Sequence, residues 1–318
     1  MRFSLLVLIV ACFGLGAFAQ PAEPAPAPKA PVEEGAANDM GVFKAGAAKL
    51  EITPALGLPL NGYGDRQGRG ATAVHDPLWV RCLCLDDGKT RVFLVNADLC
   101  LITPELRAAV LDLLPTGIAR ENVILTATHT HNGPGGTSRP LVFRLVSGRY
   151  VPELVTELAQ KFSKVIQAAA DASKPALVGH GTGEQDDLST NRRHDEGPID
   201  PQIGVLRIDG AQKQPIAIVT NFAAHPTSVP EEDHYSYSAD YPGFYYQELE
   251  ALAGEGCVAM FFNGAEGNQT CASPDGTGGW ERTETVGRLL AERAKEIADG
   301  ITCRDVKLHL AYATPSLP

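Results

Sequence analysis

The chain has 318 residues, of which 44% are hydrophobic, and a formal net charge of −11 at pH 7. A chain of this length and apolar content can bury one large core or two moderate ones. The acidic balance argues against a nucleic-acid partner, because phosphate binding requires clustered lysines and arginines. Composition alone does not define an oligomeric state.

The first 19 residues have the pattern of an export signal. Met1-Arg2 supplies a positive start, an apolar stretch follows, and Ala17-Phe18-Ala19 matches the small-x-small rule for cleavage before Gln20. The alternative is a lipobox ending at Cys12, which would attach a lipid to that cysteine. Both patterns predict a secreted or periplasmic protein.

Residues 20–40 are rich in proline and alanine, a composition that cannot bury a core. They are predicted to form an extended linker ahead of one domain at residues 41–318. Cysteines of an exported domain are able to pair, but the sequence does not define the pairing. The domain contains six of them: Cys82, Cys84, Cys100, Cys257, Cys271 and Cys303. The sequence has no Cys-x-x-Cys pair, which disfavours a thiolate zinc site.

Predicted strands and helices interleave along the domain. Two strands, Leu78–Leu85 and Arg91–Ala97, flank a turn, and Thr103 and Pro104 begin a helix that runs to Leu114. Further strands are predicted at Asn122–Thr128, Ala176–Gly183, Ile203–Asp209, Pro215–Phe222, Cys257–Phe262 and Val306–Ala313, and further helices at Val151–Ala172, Tyr241–Leu252 and Trp280–Ala298. This order indicates a layered α/β fold with mixed β-sheets flanked by helices.

Three of the apolar strands end in polar clusters. One runs into His129-Thr130-His131, the second into His225-Pro226-Thr227-Ser228, and the third into the segment Asn263–Asn268. In α/β folds the functional site usually lies beyond the C-terminal ends of strands. The three ends are therefore predicted to converge on one site.

His129 and His131 are separated by one residue, so both imidazoles point to the same side of an extended chain. Neutral imidazole is a good zinc ligand, and catalytic zinc usually has three protein ligands and a water. The pair therefore indicates two metal ligands, or one ligand beside a proton carrier. An ordinary loop with two solvated histidines is the alternative. Likewise, His225 alone has the pattern of a structural residue, and Ser238 or Asp240 that of a helix cap.

A family resemblance rests on the segment from Thr128 to Gly136. Its sequence Thr-His-Thr-His-Asn-Gly-Pro-Gly-Gly resembles the signature Thr-His-Thr-His-Ser-Gly-Pro-Gly-Gly of the neutral, non-lysosomal ceramidases. The resemblance extends from about Phe43 to Thr314, and its segments occur in the family's order. They are Gly46–Pro54 as a first strand, Asn61–Gly64, Arg91–Leu99, Asn191-Arg192, Ala224–Ser228 and Ser238–Gly243.

The resemblance implies a zinc ion (Zn2+) bound by His129 and His225, with His131 as a proton carrier beside it. It places Arg192 near polar groups of the substrate, and it makes Ser238 a catalytic residue, either as a nucleophile or as a positioning group. The implied reaction is hydrolysis of an N-acyl bond, as in ceramide, to a fatty acid and a sphingoid-type amine.

Some positions depart from the family pattern. Family enzymes complete the zinc site with a Glu and a Tyr far downstream, and no segment of this chain matches them. Glu266 is a candidate to replace the missing Glu ligand, on the ground of its residue type only. We therefore expect either that the C-terminal part of the catalytic domain is missing or that the ligand set differs. Asn132, Ala239 and Asn268 also replace the family's Ser, Gly and Asp.

These patterns together predict a zinc-dependent hydrolase of amide bonds, with an N-acyl lipid as substrate and with peripheral contact to a membrane. Two other interpretations stay open. The first is a metal-free binding module that retains the fold, and the second is an amidase that uses Ser238 as its nucleophile.

Overall fold

The computed structural model of the protein describes residues 4–6 and 43–311. The predicted cleavage site, Cys12, the 20–40 linker and residues 312–318 lie outside the described residues. The strands are β1 (Ser4–Leu6), β2 (Lys44–Glu51), β3 (Ala73–Val74), β4 (Trp79–Asp86), β5 (Arg91–Ala97), β6 (Val123–Ala127), β7 (Lys174–Glu184), β8 (Ser189–Asn191), β9 (Gln202–Gly210), β10 (Pro215–Phe222), β11 (Ser236–Tyr237), β12 (Val258–Asn263), β13 (Gln269–Cys271) and β14 (Lys307–His309). The α-helices are α1 (Pro104–Asp112), α2 (Leu141–Ser147), α3 (Pro152–Asp171), α4 (Tyr241–Ala253) and α5 (Gly279–Asp299), and short 3-10 turns lie at Gly64–Arg66, Arg120–Asn122 and Glu231–Asp233.

Eight strands form one mixed sheet in the order β12-β10-β9-β7-β2-β4-β5-β6. The pairs β5–β6 and β10–β12 are parallel, and the other pairs of this sheet are antiparallel. β7 and β2 are joined only by the pairs Lys44↔Pro175 and Ala45↔Lys174. This narrow junction divides the sheet into two halves. The mixed sheet and its flanking helices confirm the predicted fold class.

The two halves pack face to face, with helices outside them. In β4, Cys84 faces the core shared with α1 and α3, whereas Leu83 faces the opposite way. In β12, Phe261 faces the core shared with α4 and α5, whereas Met260 joins the same cluster as Leu83. Strands buried on both faces have nearly continuous apolar sequences, which is the pattern of these segments. The layers therefore run helix, sheet, sheet, helix.

Local sequence explains where the helices begin and how closely they pack. Thr103 caps α1, since its hydroxyl accepts a hydrogen bond from the Leu106 amide at 3.2 Å and Pro104 occupies the first turn. Between α4 and α5, a Cβ at Gly287 would lie 2.6 Å from the carbonyl oxygen of Tyr241. Glycine at this position therefore permits the close approach of the two helices.

Most of the predicted elements agree with the structure to within two residues, among them β4, β5, β10 and α3–α5. The last strand is shorter than predicted, since β14 covers only Lys307–His309. Helix α2 is not among the predicted elements. The six cysteines of residues 43–311 are free thiols, and Cys82 and Cys84 both lie in the core beneath α3. Within the described residues, no helix combines the length and apolar character needed to cross a membrane.

Candidate metal centre

The ends of β6, β10 and β12 meet at one edge of the molecule, as the sequence predicts. The Asn263 side chain, at the end of β12, donates a hydrogen bond from Nδ2 to the Thr128 carbonyl at 2.7 Å. The imidazole rings of His129 and His225 lie 4.6 Å apart between centroids, and each lies 5.0 Å from the ring of His131. Residues that follow strands in different halves of the sheet therefore form one cluster.

Hydrogen bonds to backbone carbonyls orient two of the three rings. His129 Nδ1 lies 2.5 Å from the Cys100 carbonyl oxygen, and His225 Nδ1 lies 3.4 Å from the carbonyl oxygen of Glu266. A carbonyl oxygen only accepts, so each Nδ1 carries the hydrogen and each Nε2 keeps its lone pair. This is the arrangement by which metal-binding histidines are commonly held. His129 also adopts a positive φ of 70°, which is unusual for a residue other than glycine.

The ring of His131 forms the third corner of a nearly equal-sided triangle with the other two rings. Its Nε2 is 3.4 Å from Nε2 of His129 and 3.2 Å from Nε2 of His225. Its Nδ1 is buried and has no hydrogen-bond partner among the described residues. A Cβ at Gly62 would lie 2.3 Å from Cγ of His131, so the backbone of residue 62 can approach this ring only because it is glycine.

The rings are electrically neutral because they are buried. Burial, together with the neighbouring His129 and His225, lowers the pKa of His131 to about 2. Burial and the proximity of His129 lower the pKa of His225 to about 4, and burial lowers the pKa of His129 as well. Neutral imidazole is the form that binds a metal ion.

Glu266 brings a carboxylate to this cluster. Its Oε1 lies 3.8 Å from His129 Nε2, and its Oε2 is buried without a hydrogen-bond partner among the described residues. Burial raises the pKa of Glu266 to about 8, although the positive charge of Arg192 lowers it. The ligand atoms of His129, His225 and Glu266 all lie within 4.8 Å of one another. An unsatisfied buried carboxylate oxygen beside two imidazole lone pairs is a set of donors that fits a divalent cation.

A second set of possible ligands comprises Cys100, His129 and His131. The thiolate is the form of cysteine that binds metals. The Cys100 thiol lies beside Nδ1 of His129, at 3.7 Å, and that nitrogen already donates to the Cys100 carbonyl. The set with two histidines and a glutamate, which faces the free Nε2 of His129, therefore fits a metal better.

Arg192 lies beside the cluster and holds the loop that carries Glu266. Its guanidinium donates to the Gly267 carbonyl from Nε at 3.2 Å and from Nη2 at 2.9 Å, and its backbone amide donates to the carbonyl of Asn268 at 2.8 Å. The side chain is exposed at the surface. Its position agrees with a group that meets polar atoms of a substrate, and that role stays a prediction.

Ser238 is fully buried behind the loop that carries His129 and His131, which we call the histidine loop. Its hydroxyl accepts a hydrogen bond from the Asp240 amide at 3.0 Å, its carbonyl accepts from Thr130 Oγ1 at 2.8 Å, and its amide donates to the Asn132 carbonyl at 3.2 Å. These contacts position the segment that carries His131. The helix cap that the sequence left open between Ser238 and Asp240 is Asp240, whose carboxylate accepts from the amide of Tyr241 at 2.7 Å.

The family follows from a match that covers most of the domain. Residues 43–287 match the family model described as neutral/alkaline non-lysosomal ceramidase, N-terminal. The chain belongs to this family. The match begins close to the predicted start of the 41–318 domain.

Individual ceramidases are similar to the chain in sequence and in fold. The neutral ceramidase of Pseudomonas aeruginosa is 28% identical over 246 residues, which are 71% of this chain and 36% of that protein. Neutral ceramidase B of Dictyostelium discoideum is 28% identical over 253 residues, which are 71% of this chain and 35% of that protein. The crystal structure of the Pseudomonas aeruginosa neutral ceramidase superposes with a TM-score of 0.75 at 27% identity, and it covers 83% of this chain and 45% of that one. The chain thus spans only about a third of the length of these two relatives.

One buried residue of this ceramidase-family site was missed by the sequence reasoning. Arg66 is 1% exposed, and its Nη1 donates to the carbonyls of Asn61 at 2.7 Å and His131 at 2.5 Å, while its Nη2 donates to Asn132 Oδ1 at 3.2 Å. Its guanidinium also lies 4.7 Å from the centre of the Tyr63 ring. Arg66 therefore ties the loop after β2 to the histidine loop. The nearby Asn61–Gly64 motif was the only signal that pointed to this loop.

Proposed function

We propose that the protein is a zinc-dependent hydrolase of amide bonds that cleaves the N-acyl bond of ceramide-like lipids. The observation that carries the proposal is the cluster in which His129 and His225 bind backbone carbonyls through Nδ1, which leaves both Nε2 atoms free, while the ligand atoms of the two residues and of the Glu266 carboxylate lie within 4.8 Å of one another. Family membership supports the reaction type. A solved relative described as a ceramidase complexed with C2 has a TM-score of 0.74 at 26% identity, and this supports the fold on which the proposal rests.

His129 and His225 would hold the zinc. When bound, zinc lowers the pKa of a water to near 7 and polarises the carbonyl that is attacked. The backbone carbonyl of Cys100 fixes the ring of His129, and the carbonyl of Glu266 fixes the ring of His225. Both ligand rings are thus oriented before a metal arrives, which limits the reorganisation that binding requires.

The other polar residues would handle the proton and the substrate. Hydrolysis adds one water: the C–N bond breaks, the acyl carbon gains an oxygen, and the leaving nitrogen gains a proton. His131 Nε2 lies within 3.4 Å of both ligand nitrogens, so it is placed to carry that proton. Arg192, exposed at the edge of the cluster, would bind hydroxyl groups of the lipid head.

Hydrolysis is expected to depend on the metal and not on the Ser238 hydroxyl. A chelator should abolish the release of free amine from an N-acylsphingosine in detergent micelles, and added zinc should restore it. Ser238→Ala should retain activity to within about tenfold, because the variant loses one hydrogen bond, worth about 1 kcal/mol, from a buried position. Amine release measured by fluorescence derivatisation checks both expectations.

A serine-nucleophile amidase gives the opposite result. Its activity would survive the chelator, Ser238→Ala would be inactive, and a fatty-acyl group would be trapped on Ser238 in quenched reactions analysed by mass spectrometry. That outcome would replace the zinc mechanism by acyl transfer.

We also propose that helix α2 meets the lipid surface from which the substrate is taken. Leu141, Val142 and Leu145 are 71%, 66% and 65% exposed, which is unusual for large apolar side chains on one short helix. Three exposed arginines lie in or beside α2 in a chain of net negative charge: Arg139, Arg144 and Arg149. An apolar face with basic neighbours suits an anionic membrane interface.

Helix α2 also lies close to the metal centre. It packs against the 3-10 turn at Gly64–Arg66, and Arg66 is hydrogen-bonded to the carbonyl of His131. A lipid held at α2 would therefore lie near the histidine cluster.

Polar substitutions on α2 are expected to affect only substrate that is embedded in a membrane. The double variant Leu141→Ser, Val142→Ser should raise the KM for an N-acyl lipid in anionic vesicles by at least about tenfold, because each side chain contributes about 1.5–3 kcal/mol when fully buried. Turnover of a water-soluble short-chain amide should stay unchanged. Leu252→Ser, at an exposed position near the end of α4, is the matched control. Equal effects on both substrates, or none on either, would refute a role of α2 in lipid contact.

A further inference from the structure

We infer that Glu266 is the third protein ligand of the metal held by His129 and His225. The inference rests on the proposed function and adds to it a ligand supplied by the loop after β12. The relevant atoms already lie together: Glu266 Oε1 is 3.8 Å from Nε2 of His129, and the ligand atoms of the three residues lie within 4.8 Å of one another.

The burial of Glu266 points to a cation. Only 16% of its side chain is exposed, and its Oε2 has no hydrogen-bond partner among the described residues. A buried carboxylate oxygen without a hydrogen-bond donor is costly, because no group among the described residues compensates for its lost hydration. A divalent ion between the carboxylate and the imidazoles would satisfy these oxygens.

The backbone of Glu266 is fixed in a way that serves both imidazoles. Its amide donates to the Gly264 carbonyl at 3.0 Å, and its carbonyl accepts from the Gln269 amide at 2.9 Å. The same carbonyl lies 3.4 Å from His225 Nδ1, while the carboxylate faces His129. Glu266 thus orients the ring of His225 through its main-chain carbonyl and faces His129 with its carboxylate.

The loop itself is anchored on two sides. The Gly264 amide donates to the carbonyl of Phe222 at the end of β10 at 3.0 Å, and a Cβ at Gly264 would lie 3.0 Å from Cβ of Ala223. On the other side, Arg192 donates twice to the Gly267 carbonyl. The carboxylate is therefore presented from a loop that is fixed at both ends, as a metal ligand requires.

The resulting ligand set has a chemical consequence. Two imidazoles and one carboxylate form a ligand set used by catalytic zinc sites, and they leave a fourth position for water or substrate. The described part of the chain would thus hold a metal without the downstream Glu and Tyr that the family resemblance led us to expect.

The test measures metal affinity, and it does not depend on catalysis. Zinc binding to the full chain is measured by competition with a chromophoric chelator for the wild type, Glu266→Gln, Glu266→Asp and His129→Ala. Glu255→Gln is the matched control, since Glu255 is exposed before β12 and the charge change is the same. Glu266→Gln should weaken zinc binding by more than about 100-fold, Glu266→Asp by less, and Glu255→Gln not at all.

Two further measurements separate ligand loss from misfolding and from failure of the proposed function. The melting temperature of the metal-free Glu266→Gln protein should equal or exceed that of the metal-free wild type, and the visible absorption of bound Co2+ should change in this variant. Wild-type affinity and an unchanged Co2+ spectrum in Glu266→Gln, with binding lost in His129→Ala, would overturn the inference and leave the proposed function intact. Wild-type affinity in His129→Ala would overturn both.

Discussion

His129→Ala is expected to reduce N-acyl hydrolysis by about 10³-fold or more, and His225→Ala is expected to do the same. Each substitution removes an Nε2 that is aimed at the cluster by a hydrogen bond from Nδ1 to a backbone carbonyl. Loss of the metal removes several kcal/mol of transition-state stabilisation, and 1.36 kcal/mol corresponds to tenfold in rate. Steady-state kinetics on an N-acylsphingosine in detergent micelles measures the effect.

The control for these variants is His180→Ala. His180 is an exposed histidine of β7 and is not part of the cluster. Its substitution should leave the kinetic constants unchanged. Activity of His129→Ala within tenfold of the wild type, at equal folded content by circular dichroism, would exclude His129 as a ligand of the catalytic metal.

Arg81→Ala is expected to lower the free energy of unfolding by about 3–5 kcal/mol, the range for breaking a buried ion pair. Arg81 is 2% exposed, and its Nη1 donates to Glu250 Oε1 at 2.5 Å and to the Ala259 carbonyl at 3.0 Å. Its guanidinium also lies 3.7 Å from the centre of the Tyr246 ring. The variant would remove these contacts of β4 with α4 and β12 and leave Lys49, at 2.6 Å, as the ion-pair partner of Glu250. Chemical denaturation monitored by circular dichroism measures the change.

The matched control for this prediction is Arg91→Ala. Arg91 pairs with Asp86 at 2.8 Å, but its side chain is 49% exposed, and such surface pairs contribute about 0–1 kcal/mol. If both variants lost the same small amount of stability, Arg81 would not be a structural link between the layers.

The strands and helices could be predicted from the sequence because both halves of the sheet are buried on two faces, which gives their strands recognisable apolar runs. Apolar runs such as the one that became β12 are bounded by turn residues, and the helical period marks α3 along its whole length. The division of the sheet into two halves could not be predicted, because it depends on the pairing of β2 with only two residues of β7. Helix α2 was missed since its apolar residues lie on the surface and show no buried stripe.

The candidate site could be predicted from the sequence in part. Polar residues directly after apolar strands led to His129, His131 and His225, and the structure brings all three together. The sequence pointed to Glu266 only by its residue type. Its position beside the histidines was not predictable, because it requires the loop after β12 to fold back over the end of β10. Arg66 belongs to a loop whose position is set by tertiary hydrogen bonds and not by any periodic pattern.

The metal content of the purified wild-type chain, measured by inductively coupled plasma mass spectrometry after incubation with zinc and gel filtration, shows directly whether the histidine cluster binds zinc. We expect about one zinc per chain, and none in His129→Ala. A wild-type chain that retains no metal after this treatment would contradict the proposal that the histidine cluster is a zinc centre.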